Sequence, residues 1–223
     1  MARLPRLEWP GQTHYLLQRG HGALASRGVF ADALDRATFL AALREAAAGE
    51  DVQVHAYALL GNEVHLLATP AQPGALGRMV QAVGRRYVSA YNRRHQHRGS
   101  LWDGRFRSAV VEPGATRMAA LLLVEGLSPE AGITSAGHHS GALHDPLLRD
   151  PPEFWALGNT PFDRQATYRR LLAQGVPTAQ ADALRHAALG GWVAGSAGYA
   201  ALAAEATARP TQPRPRGRPR ALP

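Results

Sequence analysis

The sequence predicts an α+β protein, in which helices pack against an antiparallel sheet, and three observations support this class. Segments with the two-residue period of strands alternate along the chain with segments of helical spacing. Two of the strand-like segments are joined by Gly61-Asn62, which is a two-residue turn signal. Of the 223 residues, 45% are hydrophobic and 19% are charged, which is typical of a globular chain of one or two domains and excludes a largely disordered one.

The first half of the chain predicts a strand, a helix and a β-hairpin. Residues 13–19 form a short apolar strand that is closed by glycines. Residues 35–48 carry apolar side chains every three or four positions and are followed by a glycine, so they predict a helix. Residues 52–60 and 64–69 flank the Gly61-Asn62 turn and predict the hairpin.

The second half predicts two further helices and a strand. Residues 76–95 form a long helix with one apolar face and several arginines on the polar side. Residues 105–112 predict a strand, and residues 115–127 predict a helix dominated by Ala and Leu.

The composition divides the chain into four regions. We expect a main DNA-binding domain over 1–132, a loop or linker over 133–161, a small helical region over 162–207 and a basic, disordered tail over 208–223.

Several protein classes are excluded by what the sequence lacks. The chain has no cysteine, which excludes disulfides, iron–sulfur clusters and cysteine nucleophiles. The opening MARLPRLEWPGQ has no apolar stretch of the kind found in secretory signals, and no apolar run approaches the ~20 residues that span a bilayer. We therefore expect a cytoplasmic protein with no membrane partner.

The positive charge is concentrated in two segments. All 25 basic residues are arginine, which partly reflects a coding bias. Residues 85–107 hold seven arginines against one aspartate, residues 209–223 hold five arginines and no acid, and the rest of the chain is slightly acidic. This distribution favours a polyanion partner, and for DNA a nucleoid association, over a generally solvated arginine-rich surface.

The first basic segment interleaves guanidinium groups with aromatic rings. Arginine side chains form bidentate hydrogen bonds with phosphates, and aromatic rings stack on unpaired bases, so the segment predicts nucleic-acid contacts. The alternative is a basic helix end with one core tryptophan. The candidate DNA-binding residues here are Arg85, Arg86, Arg93, Arg94, His95, Arg98, Trp102, Arg105 and Arg107.

The second basic segment contains the motif Pro-Arg-Gly-Arg-Pro, which resembles an AT-hook. Such a motif places arginines along the narrow minor groove of A·T-rich duplex DNA. The candidate groove-binding residues are Arg214, Arg216, Arg218 and Arg220. A generic solubilising tail is the alternative.

A carboxylate and an imidazole lie two residues apart in the predicted hairpin. Glu63 and His65 would point to the same face of a strand and could supply two ligands to a divalent cation, with a third needed from elsewhere. Two polar residues at a partly exposed sheet surface are the alternative.

Several blocks of the chain resemble, in order, the REP-associated tyrosine transposases, which are single-tyrosine members of the HUH nuclease superfamily. The resemblance covers about residues 1–205 and the tail, and its blocks are MARLPRLEWPGQTHYLLQRG, HAYALLGNEVHLLATP, RRYVSAYNRRHQHRGSLWDGRFRS, LVEGLSPEAG, GGWVAGSAGYAALAAE and RGRPR. It implies a ferredoxin-like antiparallel sheet with helices on one face, recognition of single-stranded DNA hairpins, and a DNA contact from Arg19.

The resemblance also implies a degenerate catalytic site. In the family, a tyrosine hydroxyl attacks the phosphodiester, while a divalent cation held by two histidines and an Asn or Gln polarises the phosphate. Glu63 and His65 stand at the two histidine positions, Val124 stands at the tyrosine position and Ser128 stands at the asparagine position. A shift of one residue would place Leu123 or Glu125 at the tyrosine position. Valine has no nucleophilic atom, so binding without cleavage is the expectation.

Three functions stay open at this point. The first is a catalytically inactive, transposase-like protein that binds hairpin or repeat DNA and needs no cofactor for binding. The second is an active single-strand endonuclease or transposase in which Glu63 and His65 hold Mg²⁺ or Mn²⁺ and Tyr87, Tyr91 or a water is the nucleophile. The third is an RNA- or protein-binding module. A monomer and a homodimer are both compatible with the sequence.

Overall fold

Six strands form one sheet in the computed structural model, which describes residues 5–22, 28–127 and 132–213. The strands are β1 (His14–Arg19), β2 (Val52–Leu60), β3 (Glu63–Pro70), β4 (Arg107–Val111), β5 (Gly132–Thr134) and β6 (Val193–Ala194). They lie in the order β5-β2-β3-β1-β4-β6, and all pairs are antiparallel except β4 with β6. The sheet confirms the predicted hairpin and its Gly61-Asn62 turn.

Eight helices accompany the sheet in the described residues. They are α1 (Ala33–Gly49), α2 (Ala75–His95), α3 (Ala115–Glu125), α4 (Ala136–His139), α5 (Pro152–Trp155), α6 (Pro161–Gln174), α7 (Thr178–Gly190) and α8 (Ala197–Thr207). The first three match the predicted helices to within two residues at each end. The predicted α+β class is confirmed.

Helices α1 and α2 cover one face of the sheet. Alternate residues of β3, such as Val64 and Leu66, point to this face and pack with Phe39 of α1 and Tyr87 of α2. The Phe39 and Tyr87 rings meet edge to face with their centroids 5.2 Å apart. This arrangement is the two-helix layer that the sequence predicts.

The opposite face is also covered, which corrects the expectation of helices on one face only. Leu67 of β3 and Tyr15 of β1 point to this side and share a second hydrophobic core with α3 and α7. The reason is chemical: β1, β2 and β3 carry apolar residues on both faces, so both faces have to be buried.

The C-terminal region packs more closely on the sheet than an appendage would. Leu184 of α7 lies in the second core, and Val193 of β6 pairs with Val110 of β4. The first residues of the tail pack against the fold. The hydroxyl of the buried Thr211 donates to the carbonyl of Ala200, and the Thr211 carbonyl accepts from the Val193 N–H. Thr211, in the segment expected as the start of the tail, thus contacts the folded part.

The remaining domain expectations differ in their outcomes. Residues 133–161, expected as a loop, contain most of β5 and the short helices α4 and α5. The boundaries at 132, 161 and 207 stay predictions. Among the described residues, no helix combines the length and apolarity needed to cross a membrane.

A close backbone contact joins the turn before α1 to the hairpin turn. The Val29 N–H donates to the Gly61 carbonyl at 2.8 Å, and Gly28 lies beside it with φ +74°. A Cβ on Gly28 would stand 2.2 Å from the Gly61 oxygen, so only glycine fits there. This contact fixes the turn that precedes Glu63.

We predict that Gly28→Ala destabilises the protein more than Gly11→Ala does. Gly11 has nearly the same positive φ, +76°, but a Cβ there meets nothing within 4 Å. Gly11→Ala should therefore cost about 1–2 kcal/mol for the left-handed backbone, and Gly28→Ala should add about 1–3 kcal/mol for the clash. Urea denaturation of both variants measures the difference, and equal losses would contradict the contact.

We also predict that the buried His14 makes stability fall in mild acid. Its Nδ1–H donates to the Gln12 carbonyl and its Nε2 accepts the Trp9 N–H, so the ring is held neutral. Burial lowers the pKa of His14 from 6.5 to about 4. The unfolded chain therefore binds one more proton than the folded chain between these values. The free energy of unfolding should fall by about 3 kcal/mol from this group as pH drops from 6.5 to 4.

The control for this prediction is the exposed His186. Urea denaturation across that pH range should show a flatter profile for His14→Gln than for wild type, whereas His186→Gln should follow wild type. Parallel profiles for all three proteins would show that His14 does not titrate in this way.

Candidate nucleic-acid interface and the residues around His65

Glu63 and His65 lie side by side at the start of β3, as their spacing predicts. The His65 Nε2 atom is 3.2 Å from the Glu63 Oε2 atom. The His65 side chain is 3% exposed, whereas that of Glu63 is 33% exposed. The hydrogen bond from His65 is the main cause that holds the pKa of Glu63 below its usual value.

The hydroxyl of Tyr15 occupies the other side of the His65 ring. It lies 2.8 Å from the His65 Nδ1 atom, and the two rings stack with an interplanar angle of 18°. Since an ionised carboxylate only accepts hydrogen bonds, the His65 Nε2–H donates to Glu63 and Nδ1 accepts from Tyr15. A continuous chain of hydrogen bonds thus runs from Tyr15 through His65 to Glu63.

Tyr15 lies close to the imidazole but is not open to a substrate. Its side chain is 0% exposed, because β1 is central in the sheet and the second core covers it. Burial raises the pKa of Tyr15 well above its usual value, which disfavours the phenolate that a nucleophile requires.

The Glu63–His65 pair fits a divalent cation poorly. The Arg19 Nε atom lies 2.8 Å from the Glu63 Oε1 atom, so the carboxylate already has a cationic partner. Metal binding at the His65 Nε2 atom would also require its proton to move. Within the part of the chain that the structure describes, the only group of three His, Asp or Glu side chains close enough to hold one ion lies elsewhere. The metal role of Glu63 and His65 stays a prediction.

The end of α3 presents no nucleophile to solvent. Val124 is fully buried in the second core, and Leu123 and Glu125 are buried as well. The Glu125 carboxylate accepts hydrogen bonds from Ser135, His139 and Tyr168. Ser128 lies outside the described residues.

Tyr87 and Tyr91 cannot replace the missing tyrosine. Both are buried in the first core, on the face of the sheet opposite to Tyr15 and His65. Their hydroxyls donate to the carbonyls of Val29 and Gly28. The hypothesis that either phenol acts beside His65 is therefore wrong, because the sheet separates them.

The predicted DNA-binding arginines fall into two groups. Three have acidic partners: Arg19 pairs with Glu63, Arg86 pairs with Glu45, and Arg94 pairs with both Asp32 and Asp35. Five are exposed and have no acidic partner among the described residues, and these are Arg85, Arg93, Arg98, Arg105 and Arg107. The second group gives the unneutralised charge that a phosphate backbone would meet.

Arg94 and His95 connect α2 to the start of α1. The carboxylate of Asp35 is buried, and it contacts Arg94 and the His95 Nε2 atom, which lies 3.0 Å from each of its oxygens. Asp32 also caps α1 by accepting from the N–H groups of Leu34 and Asp35. Both side chains thus have partners within the fold, and their role in DNA binding stays a prediction.

A cavity of about 640 Å³ opens beside the unpaired arginines. It is lined by Arg85, Arg105, Trp102 and Phe106, and apolar residues of β1, β3 and α2 form its floor. Trp102 also packs edge to face against Phe39, with centroids 6.3 Å apart. Trp102 thus belongs both to the core edge and to an arginine-rimmed concave surface.

The sequence patterns leave the roles of two groups of residues open. Arg214, Arg216, Arg218 and Arg220 lie outside the described residues, so the AT-hook stays a prediction. Tyr15 was not singled out, because its meeting with His65 depends on the register that pairs Leu17 with His65. The apolar run LLLVE ends in Glu125, and this pattern indicates a buried carboxyl group that needs hydrogen-bond donors from other parts of the fold.

Comparison with solved structures finds a transposase-like fold. The structure of a REP-associated tyrosine transposase bound to a REP hairpin aligns with 69% of this chain and 93% of its own, at a TM-score of 0.53 and 10% sequence identity. A candidate transposase from Deinococcus radiodurans R1 aligns with 50% of this chain and 88% of its own, at a TM-score of 0.37 and 20% identity. No protein-family model and no curated protein matches the sequence.

We predict that Tyr15→Phe destabilises the protein, because it removes the hydrogen bond that positions the His65 ring. Without the hydroxyl, the buried His65 Nδ1 atom has no hydrogen-bond donor, which should lower the free energy of unfolding by about 1–3 kcal/mol. Chemical denaturation measures the loss. Tyr199→Phe is a control, because the Tyr199 hydroxyl bonds Gln12 at a half-buried position and should cost less. A neutral Tyr15→Phe would contradict the hydrogen-bond chain.

Proposed function

We propose that this protein binds DNA that carries a single-stranded hairpin or a repeat, and that it does so without cleaving the strand. The observation that carries the proposal is a set of five exposed arginines, Arg85, Arg93, Arg98, Arg105 and Arg107, which are unneutralised by acidic side chains of the described residues. A surface of this kind attracts phosphates and needs no metal to do so. Binding is therefore expected to be independent of Mg²⁺ and Mn²⁺.

Aromatic groups beside these arginines support recognition of unpaired bases. Trp102 is partly exposed and lines the same cavity as Arg85 and Arg105, and base stacking on aromatic rings is a common means of binding single strands. The fold it shares with a transposase that was solved with a REP hairpin supports a hairpin as the ligand.

The burial of the candidate nucleophiles supports binding without cleavage. Five of the six tyrosines are buried, and the sixth, Tyr199, is half-buried with its hydroxyl bonded to Gln12. The residue at the family's tyrosine position, Val124, is buried and has no hydroxyl. On this proposal the protein is a transposase-like binding protein rather than an enzyme.

An active nuclease is the second candidate, and one observation favours it. The Tyr15 hydroxyl lies 2.8 Å from the His65 Nδ1 atom, which is the kind of distance at which a base activates a nucleophile. Cleavage by Tyr15 would require β1 to become accessible and Mg²⁺ or Mn²⁺ to displace Arg19 from Glu63. An RNA- or protein-binding module stays a third hypothesis, which predicts no salt-sensitive affinity for DNA.

We predict that the double variant Arg93→Ala/Arg98→Ala binds a fluorescent single-stranded hairpin more weakly than wild type. Each lost phosphate contact should reduce the salt slope by about 0.7, so the loss of two contacts should weaken binding by roughly 25-fold at 0.1 M salt relative to 1 M. Fluorescence anisotropy at several salt concentrations measures both quantities.

The control for charge alone is Arg170→Ala, on α6, which is also exposed. It should bind like wild type in the same titration. If Arg170→Ala weakened binding as much as the double variant, general electrostatic attraction would explain the affinity. If wild type showed no salt-dependent binding to any DNA, the proposed function would be wrong.

We predict that removal of residues 214–223 weakens binding to A·T-rich duplex DNA and flattens its salt dependence, while hairpin binding is kept. This truncation retains Arg209 and Thr211, which contact the folded part, so it removes only the AT-hook-like segment. A G·C-rich duplex of equal length is the control, since its minor groove is wider and less electronegative. Unchanged affinity for the A·T-rich duplex would rule out the minor-groove role.

A further inference from the structure

Two adjacent histidines and an aspartate converge in a part of the fold that the proposed function does not use. His138 and His139 belong to α4, and Asp150 precedes α5. The Asp150 Oδ1 atom lies 3.0 Å from the His138 Nε2 atom and 3.5 Å from the His139 Nε2 atom. One ligand atom from each of the three side chains falls within 4.8 Å of the other two.

His139 carries a buried nitrogen that lacks a hydrogen-bond partner. Its side chain is 0% exposed, and its Nδ1–H donates to the Glu125 carboxylate at 2.9 Å. Its Nε2 atom is buried, has no hydrogen-bond partner and faces Asp150. Buried polar atoms nearly always have a partner, so this nitrogen is available as a ligand for a metal ion.

Two carboxyl groups lie beside the two imidazoles. Glu125 is fully buried and accepts hydrogen bonds from Ser135, His139 and Tyr168. Asp150 is the second carboxyl group, and its side chain is 17% exposed. Carboxylate oxygens and imidazole nitrogens are the ligand types that Zn²⁺ takes in proteins.

The geometry points to a binding site for a divalent transition metal of the Zn²⁺ class, formed by His138, His139 and Asp150. Imidazole and carboxylate ligands lie about 2.0–2.1 Å from Zn²⁺, so the edges of a tetrahedral site are about 3.3 Å. The observed 3.0 Å and 3.5 Å separations fall on either side of that value. The ligand atoms of His138 and His139 lie within 4.8 Å of each other, so this edge has to shorten when an ion binds.

The surroundings match those of a metal ligand. The contact from His139 Nδ1–H to Glu125 is the carboxylate–histidine arrangement that orients metal-binding imidazoles. The exposed His144 has its ring 5.4 Å from that of His138, so it or a water can take the fourth position. Metal binding moves the His138 proton to Nδ1 and thereby gives up the hydrogen bond from the Asp145 N–H, which is 3.1 Å long.

The site would have a structural effect. The metal would tie α4 and the segment before α5 together, and through Glu125 it would connect both to the end of α3. The site is independent of Glu63 and His65 on β3, so it does not depend on the proposed DNA-binding function.

The test is a titration of untagged, full-length protein that has been stripped with EDTA and desalted. Zn²⁺ binding is measured by isothermal titration calorimetry, and thermal unfolding is followed with and without Zn²⁺. The variants are Asp150→Asn and His138→Ala, which act at the partly exposed side of the site. The controls are His186→Ala, which removes an exposed histidine elsewhere, and Glu63→Gln, which alters the other candidate metal pair.

The expected result is one Zn²⁺ per chain and a higher unfolding temperature with Zn²⁺. Asp150→Asn and His138→Ala should each lower the affinity by about 100-fold, while both controls behave like wild type. Circular dichroism checks that the variants are folded, and Co²⁺ absorption reports the ligands directly. The proposal is overturned if wild type shows no saturable binding up to about 100 µM Zn²⁺, or if Glu63→Gln abolishes binding and Asp150→Asn does not.

Discussion

The hydrogen bond between the Tyr15 hydroxyl and the His65 Nδ1 atom depends on the pairing of β1 with β3. The register sets Leu17 opposite His65, and the two-residue period then puts Tyr15 and His65 on the same face. A shift of one residue would turn both Glu63 and His65 toward α1 and α2 and break the hydrogen bond to Tyr15. Because α3 and α7 cover the Tyr15 end of this chain, the Tyr15 hydroxyl and the His65 ring are satisfied by each other and not by solvent. Only the Glu63 end is partly exposed.

The two faces of the sheet therefore contribute differently to the proposed function. On the face that carries His65, the Glu63 carboxylate contacts both Arg19 and His65. The cavity rimmed by Trp102 lies on the other face, whereas Arg107 of β4 stands opposite Leu17, in the same row as His65, and so belongs to the His65 face. Phosphate attraction and base stacking act at the surface and need no nucleophile. Under the proposed function, binding is therefore separable from cleavage.

The sequence predicted the local features well and the long-range contacts poorly. Helix spacing and the Gly61-Asn62 turn are local signals, so α1, α2 and the hairpin were found nearly in full. The meeting of Glu63 with His65 also needs only the period of a strand. The roles of Tyr15 and Arg94 depend on partners fifty or more residues away, Tyr15 on His65 and Arg94 on Asp32 and Asp35, and no periodicity reveals these. The sequence does not predict the coverage of the second face, because the contact of α7 with β1 and β4 joins segments that lie far apart in the chain.

The most direct test of binding without cleavage compares the covalent and noncovalent products of one reaction. A DNA hairpin that carries a label on each of its two flanking strands, so that both products of cleavage are visible, is incubated with Mn²⁺ and either wild type or Tyr15→Phe. The reactions are then run on native and denaturing gels. If the protein binds without cleaving, the native gel shows a shifted complex and the denaturing gel shows intact DNA with no protein attached. A nicked strand or a covalent adduct formed by wild type and lost in Tyr15→Phe would contradict it, and would identify Tyr15 as a nucleophile.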